Sequence, residues 1–204
     1  MSLEMLTALV TFALVSTITP GPNNLMLMAS GANFGFGRTL PHMSGILAGV
    51  LVMFVLVGIG LSQVFEAWPA SFQVLKVVSV IYLVFLAWKI ATAAGPGEDA
   101  ETGGTPLTFI QAALFQWVNP KVWVVALTAI TVYSPSQNIA TVLVVALVFG
   151  LITLPSVTLW TLMGQQLAKL LTNNLRLRIF NGIMGALLIA SLYPVLVPWL
   201  EVLV

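Results

Sequence analysis

Thr19-Pro20-Gly21-Pro22-Asn23-Asn24 interrupts the first long apolar segment, and Asn119-Pro120-Lys121 interrupts the fourth at the matching point about 100 residues later. Pro20 and Pro22 lack an N–H and clash with the preceding helical turn, while Gly21 adds backbone freedom, so regular helix is not expected across 19–23. Backbone groups freed in this way are costly in hydrocarbon. A break at such depth is tolerated only where protein or a water-filled cavity satisfies it, which turns the segment toward the interior.

The surrounding composition makes hydrocarbon the relevant solvent. The chain has 204 residues, of which 59% are hydrophobic and 6% charged, against roughly 25% charged in a soluble domain. Its mean hydropathy is +1.06. This is the composition of a polytopic membrane protein with membrane lipid around it. Apolar runs near 20 residues predict six spans, at 5–29, 41–62, 72–92, 107–132, 139–163 and 179–202. The fold class expected is therefore an all-α integral membrane protein forming one transmembrane domain over 1–204. A Gly-, Pro- and acid-rich linker at 93–106 divides it into halves of about 1–92 and 107–204.

The net charge of +1 and the absence of a basic stripe argue against a nucleic-acid partner. There is no cysteine, one histidine, and neither an HExxH nor a Gly-x-Ser-x-Gly pattern, so an intramembrane enzyme has little to build from, and no cofactor or metal is implied. No Lys or Arg precedes Arg38, so the first segment lacks the basic region of a cleaved signal and is expected to be retained. Arg38, Lys89, Lys169, Arg176 and Arg178 all fall on the side reached after spans one, three and five. By the positive-inside rule that side is cytoplasmic and both termini lie outside.

A shift of about 100 residues places Pro20 on Pro120, span 41–62 on span 139–163, and Lys76 on Arg176. Each half holds three spans, so the second must enter the membrane from the opposite side. The predicted architecture is two inverted three-helix repeats with helices 1 and 4 broken at proline, an arrangement that places substrate near the midplane between discontinuous helices.

Chemically, Asn23 and Asn24 bring amides that donate and accept, and the half-helix starting near them aims a partly positive N-terminus at the cavity, suiting a carboxylate. The same residues also fit a structural kink in which the amides cap the half-helix. Asn119 is pushed toward extended backbone by Pro120. Lys121 reads as an anion-contacting or gating residue, or as a cation snorkelling to the interface marked by Trp117 and Trp123. In the loop Gly35-Phe36-Gly37-Arg38, Arg38 fits an anchor or a cytoplasmic gate. His42 fits a proton carrier or a solvated interfacial residue. Lys76 opens span three. Gly45 and Gly49 allow another helix close and permit, without demanding, a homodimer.

Taken together, these features resemble the lysine-exporter (LysE) superfamily of bacterial amino-acid exporters, particularly its homoserine/threonine-efflux (RhtB-type) branch. The likeness covers the whole chain. It rests on Thr19-Pro20-Gly21-Pro22-Asn23, Gly37-Arg38 followed by Gly45 and Gly49, Lys76, and Phe115 through Asn119-Pro120-Lys121. Gly37-Arg38-Thr39-Leu40-Pro41 lacks the glycine that commonly follows the arginine by two positions in that family. The resemblance implies secondary export of small amino acids or derivatives through the bacterial inner membrane, driven by the proton gradient. It implies a site at Pro20, Gly21, Pro22, Asn23, Asn119, Pro120 and Lys121, to which the residue chemistry adds Asn24. No span carries an Asp or Glu near its centre, which favours zwitterionic substrates such as threonine, homoserine or leucine over cationic ones and leaves no carboxylate to carry a proton. A non-transporting membrane adaptor or channel-like subunit is the alternative.

Overall fold

The computed structural model describes residues 1–93, 105–135, 138–171 and 173–193. All regular structure among them is helical: α1 (Leu3–Ile18), α2 (Pro22–Leu56), a π-helical turn (Val57–Leu61), α3 (Ser62–Ala67), α4 (Pro69–Ala91), α5 (Phe109–Val118), α6 (Pro120–Tyr133), α7 (Ile139–Ala168) and α8 (Asn174–Ala190). Most of the linker and the C-terminal part of the sixth expected span lie outside the described residues.

Both proline breaks are present, and each is shorter than its composition suggests. Thr19 and Gly21 are extended, at φ −62°, ψ 141° and φ −175°, ψ 178°, but Pro22 already stands in the first turn of α2. A proline there loses no intrahelical bond, because the first amides of a helix have no partner in any case. Asn119 alone separates α5 from α6, at φ −92°, ψ 104°, and the two helices are bent by 68°.

The expected loop at 35–38 contracts to one residue. Helix occupies both sides of Gly35 within Pro22–Leu56, but Gly35 itself has φ 78°, ψ 170°, outside any helix. The Ser30 and Thr39 hydroxyls bond at 2.9 Å, although nine residues of straight helix would separate them by about 13 Å. The arms 22–34 and 36–56 therefore fold back on each other, and a positive φ at the reversal is what glycine permits. Among the described residues, three helices are long and apolar enough to cross a membrane, or four with the bent α5–α6 pair taken as one.

Close helix contacts set the core. Gly31 of α2 lies against the Thr161 carbonyl of α7, and Gly164 of α7 against the Met28 carbonyl of α2, so a Cβ at either would strike backbone. Gly45 and Gly49 approach α5 in the same way, at Phe109 and Ala113. Small residues at such crossings allow dense packing where lipid supplies no hydrophobic drive between helices. Phe54 and Phe149, both fully buried, meet at 4.3 Å between ring centroids and tie the second arm of α2 to α7. Outward faces stay apolar, as with Val10, Leu14, Leu147, Leu151 and Leu154, which suits lipid contact.

Candidate functional site

The two breaks meet. Lys121, in the first turn of α6, extends its Nζ to the Thr19 carbonyl at 2.8 Å and the Thr19 hydroxyl at 2.9 Å, with the Pro20 carbonyl at 3.5 Å. The half-buried side chain lies so close to Gly21 that a Cβ there would come 2.8 Å from Lys121 Cδ. Its ammonium is held by the opposite break.

The carbonyls that end α1 are distributed among three other helices. Thr17 O accepts from Asn24 Nδ2 at 2.8 Å and from Ser156 Oγ at 2.9 Å. Ile18 O accepts from Trp160 Nε1 at 3.2 Å. Thr19 O takes a second bond, from Asn24 Nδ2 at 2.8 Å. A helix end inside a membrane needs partners for its last carbonyls, and these donors supply them. Asn24 thus caps the C-terminus of α1. The N-terminus of α2, whose N-cap is Gly21, has no side-chain cap.

Asn23 turns the other way. Its amide exchanges two bonds with that of Gln116 on α5, at 2.7 and 3.2 Å, and Gln116 also donates to the Ala112 carbonyl at 2.8 Å. Asn119, buried at the second break, accepts from the Lys121 backbone N–H and caps α6.

Between these groups lies a small cavity of about 60 Å3, room for a few waters. Gly21, Asn23, Asn24, Asn119 and Lys121 line it, with Ser16, Thr17, Thr153 and Ser156, over an apolar floor that includes Ile46, Val50, Phe54 and Phe149. Among the described residues, no acidic side chain stands in its wall. On the far side of the breaks, Pro20, Pro22, Pro120 and Lys76 border a larger, mostly apolar space of about 640 Å3 between α4, α6 and the end of α8. Gly21, Lys121 and Val125 line both spaces and form the partition between them.

All eight residues expected at the substrate site therefore gather around one partition, and Lys76 joins them from the outer side. Arg38 and His42 do not. Arg38 is exposed, its guanidinium carbon 5.5 Å from the centre of the Phe34 ring. His42 is only 1% exposed, which corrects the expectation of a solvated interfacial histidine, and it borders a different cavity. Gln116, Ser156, Thr17 and Trp160 were missed. A buried amide three residues before Asn119 was a usable signal. The roles of Ser156 and Trp160 depend on α7 crossing the end of α1, which no local pattern encodes. Among the described residues, no three His, Cys, Asp or Glu side chains group to hold a metal.

The chain is thus an apolar helical bundle in which two broken helices meet beside a small cavity. The chain matches the family described as LysE type translocator over residues 14–191, and it belongs to that family. Cysteine/O-acetylserine efflux proteins of Escherichia coli strain K12 and Shigella sonnei strain Ss046 are each 29% identical to it over 173 residues, 83% of this chain and 87% of the relative. No solved structure matches the chain.

Proposed function

We propose that the protein is a secondary exporter of small zwitterionic amino acids or their derivatives, moving them out of the bacterial cytoplasm by alternating access. The observation that carries this reading is the link from Lys121 to Thr19 and Pro20: the sole charged side chain among the described residues of the cavity wall bridges the two broken helices. A substrate carboxylate competes with those carbonyls for the ammonium. Its capture by Lys121 and by the uncapped N-terminus of α2 loosens the partition, while its ammonium inherits the vacated Thr19 carbonyl. Substrate binding and opening are thereby coupled, because the ligand replaces an interaction that holds the halves together.

Joining α1 to the first arm of α2, counting the second arm, α4, the α5–α6 pair, α7 and α8 gives six spans, in keeping with two inverted repeats. With Arg38, Lys89, Lys169, Arg176 and Arg178 inside, both termini face outward. Threonine, homoserine and leucine suit a cavity without carboxylates, and the names of the relatives add cysteine and O-acetylserine as candidates. Proton coupling follows the family resemblance.

Proteoliposomes loaded with each of these five amino acids in radiolabelled form test the reading. Saturable release of at least one is expected, and release equal to empty liposomes for all five, with the protein folded and inserted, ends it. Asn23→Ala separates carrier from adaptor: a carrier loses transport while its abundance holds, whereas an adaptor loses abundance first.

A further inference from the structure

Nearly all the polar side chains that line the small cavity at the breaks are engaged. Asn24 and Ser156 donate to the carbonyls that end α1, Asn23 pairs with Gln116, Asn119 caps α6, and Lys121 holds Thr19. Ser16 and Thr17 bond back within their own helix, to the Phe12 carbonyl at 2.7 Å and the Ala13 carbonyl at 2.8 Å. A hydroxyl in an apolar helix ordinarily does this, and Thr158 and Thr161 of α7 do the same toward Leu154 and Val157.

Thr153 is the exception. It is 5% exposed and lines the cavity, yet its hydroxyl makes no hydrogen bond among the described residues. The oxygen is not sealed either. Among the described residues, the buried side-chain atoms that lack both a partner and accessible surface are the two ring nitrogens of His42, so Thr153 Oγ1 keeps access to the space its residue lines. It stands one turn, about 4.5 Å of helix rise, before Ser156, among the apolar residues Ile46, Val50, Phe54 and Phe149. Native interiors keep few hydroxyls unpaired, and those they keep call for an occupant or a role.

We propose that Thr153 is the residue that reads the substrate's side chain, exchanging a hydrogen bond with a hydroxyl or thiol on it while the substrate's carboxylate and ammonium are held at the breaks. The proposal rests on the exporter reading and adds to it a determinant of specificity. The cavity of about 60 Å3 has room for a few waters, or for a side chain of about as many heavy atoms. A hydroxyl both donates and accepts, so Thr153 can pair with a hydroxyl or thiol in either sense. A methyl in the same place would leave Oγ1 unpaired, and that difference sets the selectivity.

Isosteric pairs isolate this contact: threonine against valine, homoserine against norvaline, and cysteine against 2-aminobutyrate. Apparent affinity is read from ligand-induced thermal stabilisation of the detergent-solubilised chain, and export from proteoliposomes is measured alongside. In at least one pair the polar member should bind about tenfold more tightly, about 1.4 kcal/mol. Thr153→Val should bring the two members of that pair to within about twofold, the polar one losing affinity and the apolar one gaining it, and Thr153→Ser should restore most of the preference. A variant that merely folds poorly would weaken both members alike. Binding and export of these compounds without any preference within the pairs, or a preference that survives Thr153→Val, overturns the role of Thr153 and leaves the exporter intact. A preference abolished by Thr153→Val in binding, with no export of any compound, supports the contact and removes the exporter reading. Neither binding nor export of any of the six ends both.

Discussion

The two breaks are equivalent in position and opposite in chemistry. The first, Thr19 to Gly21, contributes acceptors: carbonyls at the end of α1 and in the extended segment, and a hydroxyl. The second, at Asn119, contributes donors, with the Lys121 ammonium reaching across and the Asn119 side chain spent on capping its own helix. Two like breaks would have left two sets of free carbonyls facing each other. The unlike pair closes one break with the other, a closure that, on the proposed reading, a ligand carrying its own carboxylate undoes.

The largest effect is expected from removing the cation. Lys121→Met preserves most of the apolar stem and deletes the link, and export should fall by about tenfold or more, the scale of one charge-assisted hydrogen bond. Gly21→Val is the complementary perturbation, because its Cβ displaces the flexible Lys121 side chain rather than backbone. Export should drop while the detergent melting temperature changes little. Unchanged export in both variants would break the comparison.

Asn24→Ala should act on stability instead, costing about 1–3 kcal/mol, because the Thr17 and Thr19 carbonyls each lose the bond from the buried Asn24 amide. Ser156→Ala should cost less, since Thr17 O keeps Asn24. Thermal unfolding in detergent reads both, and a larger loss for Ser156→Ala would contradict this division of labour.

The smallest effect concerns the amide pair. Asn23→Leu and Gln116→Leu, singly and together, form a double-mutant cycle whose coupling should be about 1 kcal/mol, as for other side-chain hydrogen bonds between membrane helices. A coupling near zero would show that the pair is coincidental and that Asn23 is available to substrate without competition.

Particular residues show how far the sequence could be read. Pro20, Pro22 and Pro120 announced both breaks because a missing N–H and a fixed φ are properties of the residue itself. The reversal at Gly35 was read as a four-residue loop, since Phe36, Gly37 and Arg38 carry no signal that they resume helix at once. His42 was placed at an interface because it follows Arg38 closely, but the fold-back presses the second arm against the first and buries the ring. Gln116 was passed over, although a polar amide inside an apolar run rarely stands alone in a membrane.

The sequence by itself determined that this chain is an apolar helical membrane protein with two breaks in matching positions, because composition, span length and proline geometry are local properties. Only the tertiary structure decided that Lys121 closes on Thr19, that Asn24 caps α1 instead of α2, and that His42 is sealed beside a second cavity. Those outcomes depend on which helices cross and how closely their glycines let them approach, a matter of three-dimensional packing that no stretch of residues specifies alone.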